Sequence, residues 1–129
     1  MSRKIVPLGS ESALAQYLTA YPEQITFGEE TPEEVLDRYH TADYVVVNDG
    51  VALDRQRLLD HVRPARKRAQ GVSVDVHDVL VDGDRVAARY VLTAEMRKGG
   101  RIVTEVHMFG RLASDGRLQR ADKLTRTVT

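Results

Sequence analysis

A few polar side chains lie where the pattern could give them chemistry. Asp122 falls mid-strand, where Leu118, Arg120, Asp122, Leu124 and Arg126 alternate with Gln119, Ala121, Lys123 and Thr125. Aspartate is disfavoured inside strands. Turned toward an apolar interior it would hold its proton more tightly and could act as a general acid or base near neutral pH. An ion pair with Arg120 or Arg126, or a place facing solvent, explains the same residue without chemistry. Asn48 and Asp49 close the β-branched run Tyr44-Val45-Val46-Val47. Alternation puts Asn48 on the face of Tyr44 and Val46, and a one-residue slip would bring Asp49 there instead as a base. Asn-Asp-Gly is equally good turn chemistry. His107 shares a strand face with Glu105 and Phe109. On a concave face this pair could shuttle protons; on a convex face it would be a solvated or dimer-forming surface. Tyr17, Tyr39, Tyr44 and Tyr90 could donate hydrogen bonds to a ligand carbonyl, or could be core residues with rim hydroxyls.

Several functional classes are disfavoured. The 129 residues carry 19 Lys+Arg against 19 Asp+Glu, so no net field favours nucleic acid or an acidic membrane. The basic run Arg63–Arg68 lacks interleaved aromatics and reads as a solvated helix face. There is no cysteine, hence no disulfide, thiol nucleophile or thiolate metal site, which suits a reducing cytoplasm. His40, His61, His77 and His107 have no metal-ligand spacing, and no phosphate-binding glycine loop or nucleophile elbow is present. No signal peptide or run of about 20 apolar residues is visible, so the expectation is a cytoplasmic protein without metal or cofactor.

These residues must be placed by one domain covering residues 1–129, with residues 1–9 as a loose arm. A first helix starts near Ser10 or Ser12 with the stripe Leu14, Tyr17, Leu18 and Tyr21, and Pro22 is expected to end or kink it. Thr31-Pro32-Glu33-Glu34 opens a short second helix through its capping threonine and first-turn proline. A strand over Tyr44–Asn48 follows, then a helix capped by Asp54, bent at Pro64 and closed at Gly71. Leu58, Leu59, Val62 and Ala65 form its inner side. From Val72 to Thr127 four strands are punctuated by Asp82-Gly83, Gly99-Gly100 and Asp115-Gly116, the signature of an antiparallel meander. The shift from Val72, Val74 and Val76 to Val79-Leu80-Val81 suggests a bulge.

The order helix–helix–strand–helix–four strands resembles the cone-shaped α+β fold of the nuclear-transport-factor-2-like superfamily, and more narrowly its SnoaL-like (polyketide cyclase-like) branch. The resemblance rests on Arg38-Tyr39-His40-Thr41-Ala42-Asp43-Tyr44, Asp54-Arg55-Gln56-Arg57-Leu58-Leu59-Asp60-His61, Val81-Asp82-Gly83-Asp84-Arg85-Val86-Ala87-Ala88-Arg89 and Asp115-Gly116-Arg117-Leu118. It covers about residues 12–127. It implies a curved antiparallel sheet packed against three helices around an apolar pocket, with Asp122 turned inward. Asn48 falls where ketosteroid-isomerase-like relatives carry their base. Met108 stands on the strand that holds their second acid, which is absent at that position here. Two functions fit the resemblance: cofactor-free cyclase- or isomerase-type acid–base chemistry on an apolar carbonyl or polycyclic compound, or a non-catalytic binding or association module. In both, Tyr17, Tyr39, Tyr44, Asn48, Tyr90 and Met108 would line the ligand, and the chain would be a homodimer through its sheet. An epoxide hydrolase, a third option, would need an Asp–Arg–Asp constellation around a water.

Overall fold

The computed structural model describes residues 4–128. Helix α1 (Glu11–Phe27) begins where the Ser10 hydroxyl accepts from the Ala13 N–H at 3.1 Å, and it buries Leu14, Tyr17 and Leu18. Pro22 does not stop it. The helix continues to Phe27, where the Gly28 N–H donates to the Gln24 carbonyl at 3.0 Å, and Tyr21 and Ile25 still pack on the core. Helix α2 (Pro32–Tyr39) starts as its sequence predicts, with the Thr31 side chain accepting from the Glu34 N–H at 3.2 Å.

Strand β1 (His40–Asn48) begins directly after α2, four residues earlier than its β-branched run suggested. Asp49 (φ 52°) and Gly50 (φ 87°) then form a tight turn in which both central residues adopt the left-handed region. That turn makes β2 (Val51–Asp54), a strand not evident in the sequence, and pairs it antiparallel to β1. Asp54 caps α3 (Arg55–Arg68) by accepting from the Arg57 N–H at 2.9 Å. No residue of α3 is fully buried, and Gly71 lies beyond its end, inside β3.

The meander is β3 (Ala69–Asp82), β4 (Arg85–Met96), β5 (Arg101–Leu112) and β6 (Leu118–Thr127). The curved, unclosed sheet has the order β2-β1-β6-β5-β4-β3. It is mixed rather than wholly antiparallel, because β1 and β6 run parallel.

Two irregularities set which side chains face the helices. In β3 the register shifts between Val76 and Asp78, so Val74, Val76, Val79 and Val81 all pack on the core, as the broken alternation suggested. In β6 Arg120 opposes Arg111 while Leu118 opposes Leu112, which leaves Gln119 as the extra residue of a bulge. Both Leu118 and Ala121 are consequently buried.

The first nine residues are not a loose arm over their described part. Leu8 is fully buried, its N–H donates to the Gly116 carbonyl at 2.8 Å, and the Val6 N–H donates to the Arg38 carbonyl at 2.9 Å. The arm closes the narrow end of the core beside Leu14, Val86, Leu112 and Leu118.

Candidate functional site

A cavity of about 560 Å³ opens between the second half of α1, the last turns of α3 and the inner face of the meander. Tyr21, Pro22 and Ile25 of α1 wall one side, His61, Pro64 and Arg68 of α3 another. The floor is Tyr90, Leu92 and Ala94 of β4 with Ile102 of β5, because alternation turns every second residue of these strands inward. This is the expected composition of a small-molecule site, apolar walls with a few polar groups.

The Gln119 bulge decides which polar group of β6 enters. An unbroken alternation from Leu118 would turn Asp122 inward. The extra residue reverses the parity, sending Lys123 into the cavity and Asp122 to the opposite face. There the Asp122 side chain is 51% exposed and takes two hydrogen bonds from Arg120, Nε and Nη2 each at 3.1 Å. Lys123 pairs with Met108 on one side and Asn48 on the other. The expectation of an inward Asp122 is thus corrected by one inserted residue.

The remaining predicted residues divide. Asp49 is exposed at its turn and accepts from the Thr125 N–H at 2.8 Å and from the Thr125 hydroxyl. Those two bonds hold its carboxyl below the usual range, the side-chain bond contributing most. It clamps β1 to β6 rather than facing the cavity. His107 lies on the exposed face, 3.9 Å from Glu105, whose carboxylate also pairs with Arg126 at 3.1 Å. This is the face opposite Val106 and Met108, which are buried. Tyr17 and Tyr90 do line the cavity. Tyr39, Tyr44 and Met108 are core residues, Tyr39 donating to Gln24 Oε1 at 2.7 Å, and Asn48 is half-buried outside the lining. The Asp–Arg–Asp arrangement of an epoxide hydrolase is not assembled among the described residues: Asp122 pairs with Arg120, Arg89 pairs with Asp78, and no carboxylate lines the cavity.

Behind Tyr17, outside the cavity lining, lies a residue that the sequence marked only as a poor metal ligand. His40, the first residue of β1, is 1% exposed. Its Nδ1 lies 2.7 Å from the Leu36 carbonyl. A carbonyl only accepts, so Nδ1 carries the hydrogen. Burial lowers the His40 pKa to about 3, so the ring is neutral and Nε2 is a bare acceptor. The Tyr17 hydroxyl, 2.7 Å away, must therefore donate to it. Tyr21 stacks on Tyr17 with ring centroids 5.4 Å apart and meets His40 edge-on at 4.9 Å. Desolvation raises the pKa of Tyr17, Tyr21 and Tyr44, so all three stay protonated. The positive charge of Lys123 adds, after desolvation and against the Leu36 bond, to the lowering at His40, which puts its ammonium within electrostatic reach of this cluster.

Tyr21 and Tyr90 make no hydrogen bond to another described residue, and no buried side-chain polar atom there lacks a partner. Their hydroxyls are therefore open to the cavity. No described ion pair involves Lys123. The described residues contain no group of three His, Asp or Glu able to hold a metal, and no described helix is long and apolar enough to cross a membrane.

The sequence matches the SnoaL-like domain over residues 18–121, most of the chain. The chain belongs to the SnoaL-like domain family. Its fold is that of the nuclear-transport-factor-2-like proteins. AclR from Streptomyces galilaeus, a protein provisionally named a hydroxylase, superposes with TM-score 0.68 at 15% identity, covering 91% of each chain. IdmH from Streptomyces antibioticus, provisionally named a polyketide cyclase, gives TM-score 0.65 at 18% identity over 87% of this chain and 88% of its own. An NTF2-like protein of unknown function from Exiguobacterium sp. 255-15 gives 0.65 at 14% identity, covering 88% of this chain and 97% of that one. At these identities the likeness is one of fold. No curated protein matches the sequence.

Proposed function

We propose that this SnoaL-like protein binds a mostly apolar carbonyl compound and promotes cofactor-free enol chemistry of the cyclase or isomerase type. The observation that carries this reading is the make-up of the cavity: a mostly apolar lining, with Lys123, Tyr21 and Tyr90 at one end, Arg68 at the other and no carboxylate. Charged and hydroxyl donors fixed in a water-poor site favour the state in which a carbonyl oxygen gains negative charge. The Tyr17–His40 pair is not the proton acceptor, because burial holds its imidazole neutral far below neutral pH. The carbon proton passes to water or buffer at the open mouth of the cavity, and turnover depends on how well Lys123 stabilises the enolate.

Binding without turnover is the second reading, and it is favoured by the outward positions of Asp122 and Asp49. The two readings separate on 2-acetylnaphthalene in deuterated buffer. Enol chemistry predicts deuterium uptake at the methyl group above the buffer rate, cut by Lys123→Met. Saturable binding without uptake supports the binding module. No saturable binding by wild type, or binding unaffected by Leu92→Trp, overturns both.

The outer sheet face supports a partner of a definite kind, a second copy of this chain. Phe109 and Leu124 are 59% and 71% exposed there. They are ringed by the pairs Arg120–Asp122, Arg89–Asp78 and Arg126–Glu105. A patch carrying both signs around an apolar centre can complement itself across a two-fold axis. Light scattering should give twice 14.5 kDa for wild type and 14.5 kDa for Phe109→Glu. A monomeric wild type would reject this interface.

A further inference from the structure

The charge of the ligand can be taken further, on the reading that the cavity binds a small apolar compound. We infer that the occupant is an anion at neutral pH: a carboxylate, or an ionised enol or phenol, on an extended apolar skeleton, with its negative oxygen at Lys123. Lys123 is half-buried and lines the cavity with a charge that no described acid neutralises. The acid nearest along the β1–β6 pair is Asp49, which is engaged by Thr125 and shows no effect of Lys123. Withdrawing an ammonium from water without a counter-charge is unfavourable. Had the site evolved for a neutral ketone alone, a tyrosine hydroxyl would suffice and a methionine like the neighbouring Met108 could fill the row.

Everything else at that end is compatible with an anion. Tyr21 and Tyr90 offer hydroxyl donors, and burial keeps Tyr21 protonated, so it adds no negative charge of its own. The charged group at the other end is also basic: Arg68 of α3 borders the cavity beside Met96, its carbonyl accepting from the Arg97 N–H at 2.9 Å, and Met96 lies six residues along β4 from Tyr90. At about 3.3 Å per strand residue the two ends are roughly 20 Å apart along the floor. One end can hold the anionic oxygen while the mouth attracts the ligand as it approaches. With no carboxylate in the lining, a cationic ligand has no partner here.

The test compares two probes of one shape, 2-naphthoate and 2-naphthamide, titrated calorimetrically at pH 7.5 against wild type, Lys123→Met, Lys123→Arg and Arg68→Gln. Wild type should prefer the naphthoate by about tenfold or more. Lys123→Met should bind both probes alike, Lys123→Arg should keep the preference, and Arg68→Gln should change it by less than about threefold. Removing an unpaired charge should leave the melting temperature of Lys123→Met unchanged or higher, which separates loss of the site from loss of the fold. Equal binding of both probes to wild type, sensitive to Leu92→Trp, would overturn the anionic ligand and leave the cavity reading standing. A preference abolished by Arg68→Gln but kept by Lys123→Met would overturn the assignment to Lys123. Failure of both probes to bind would reject the cavity reading and this inference with it.

Discussion

The two ends of the cone are built from the same strands yet filled differently. At the narrow end Leu8, Leu14, Val35, Val86, Leu118 and Ala121 are essentially inaccessible, and polar links tie the surrounding elements together. Arg55 grips the buried Asp37 through bonds of 2.9 and 3.0 Å, and Arg117 donates to the carbonyls of Asp37 and His40. At the wide end β4 has no fully buried residue beyond Tyr90 and β5 none before Val106, while α3 covers the opening without burying a side chain. The narrow end therefore supplies the stability, and the wide end can leave about 560 Å³ unfilled for a ligand. A sheet this long can afford that division because its register is fixed by the packed half.

The largest effect that could break this contrast is a matched pair of truncations. Leu118→Ala should cost about 2–5 kcal/mol, whereas Leu92→Ala, whose side chain already borders empty space, should cost about 1 kcal/mol. Urea unfolding of both variants checks it; equal costs would mean that the ends are equally packed. Next comes Gly110→Ala, expected to cost about 1–3 kcal/mol. The added methyl would meet Leu118 Cδ1 at 2.9 Å, Val86 Cγ2 at 3.0 Å and the Arg120 carbonyl at 3.1 Å.

Acid should act at the boundary between the ends, where His40 sits. Below about pH 6.5 the unfolded histidine binds a proton that the folded one, with its pKa near 3, refuses. His40 therefore contributes stability that is full above pH 6.5 and falls by about 1.4 kcal/mol per pH unit as acid is added toward pH 3. Its ring resonances should not titrate between pH 7 and 4.5, and movement in that range would contradict the locked tautomer. The smallest effect is that of Asp122→Asn, an exposed pair with Arg120, which should change stability by less than about 0.5 kcal/mol and leave probe binding unaltered.

The sequence made the frame legible and left its interior ambiguous. The three glycine turns, the caps at Ser10, Thr31 and Asp54, and the broken alternation of β3 are local signals, and each appears where local chemistry puts it. The parallel pairing of β1 with β6 is a contact between distant segments with no local mark. The extra residue of the bulge, Gln119, is one polar residue in a largely polar strand, so alternation from Leu118 pointed to the wrong carboxylate. One signal was present: Leu118 and Ala121 are apolar residues an odd number of positions apart, which uninterrupted parity cannot bury together. His40 was hidden for a different reason. Its significance comes from Leu36, one turn earlier, and Tyr17, 23 residues earlier, meeting its two ring nitrogens. With Lys123 and His40 in view, the site moves from a single carboxylate to a donor-rich end.

The most direct measurement is an amide and side-chain NMR titration of the protein with 2-acetylnaphthalene. Saturable shifts should concentrate on Tyr17, Tyr21, Tyr90, Leu92, Ala94 and Lys123, with Asp122, His107 and Phe109 unmoved. Shifts confined to Asp122, His107 and Phe109, or no saturable shift at all, would contradict a ligand site in the cavity.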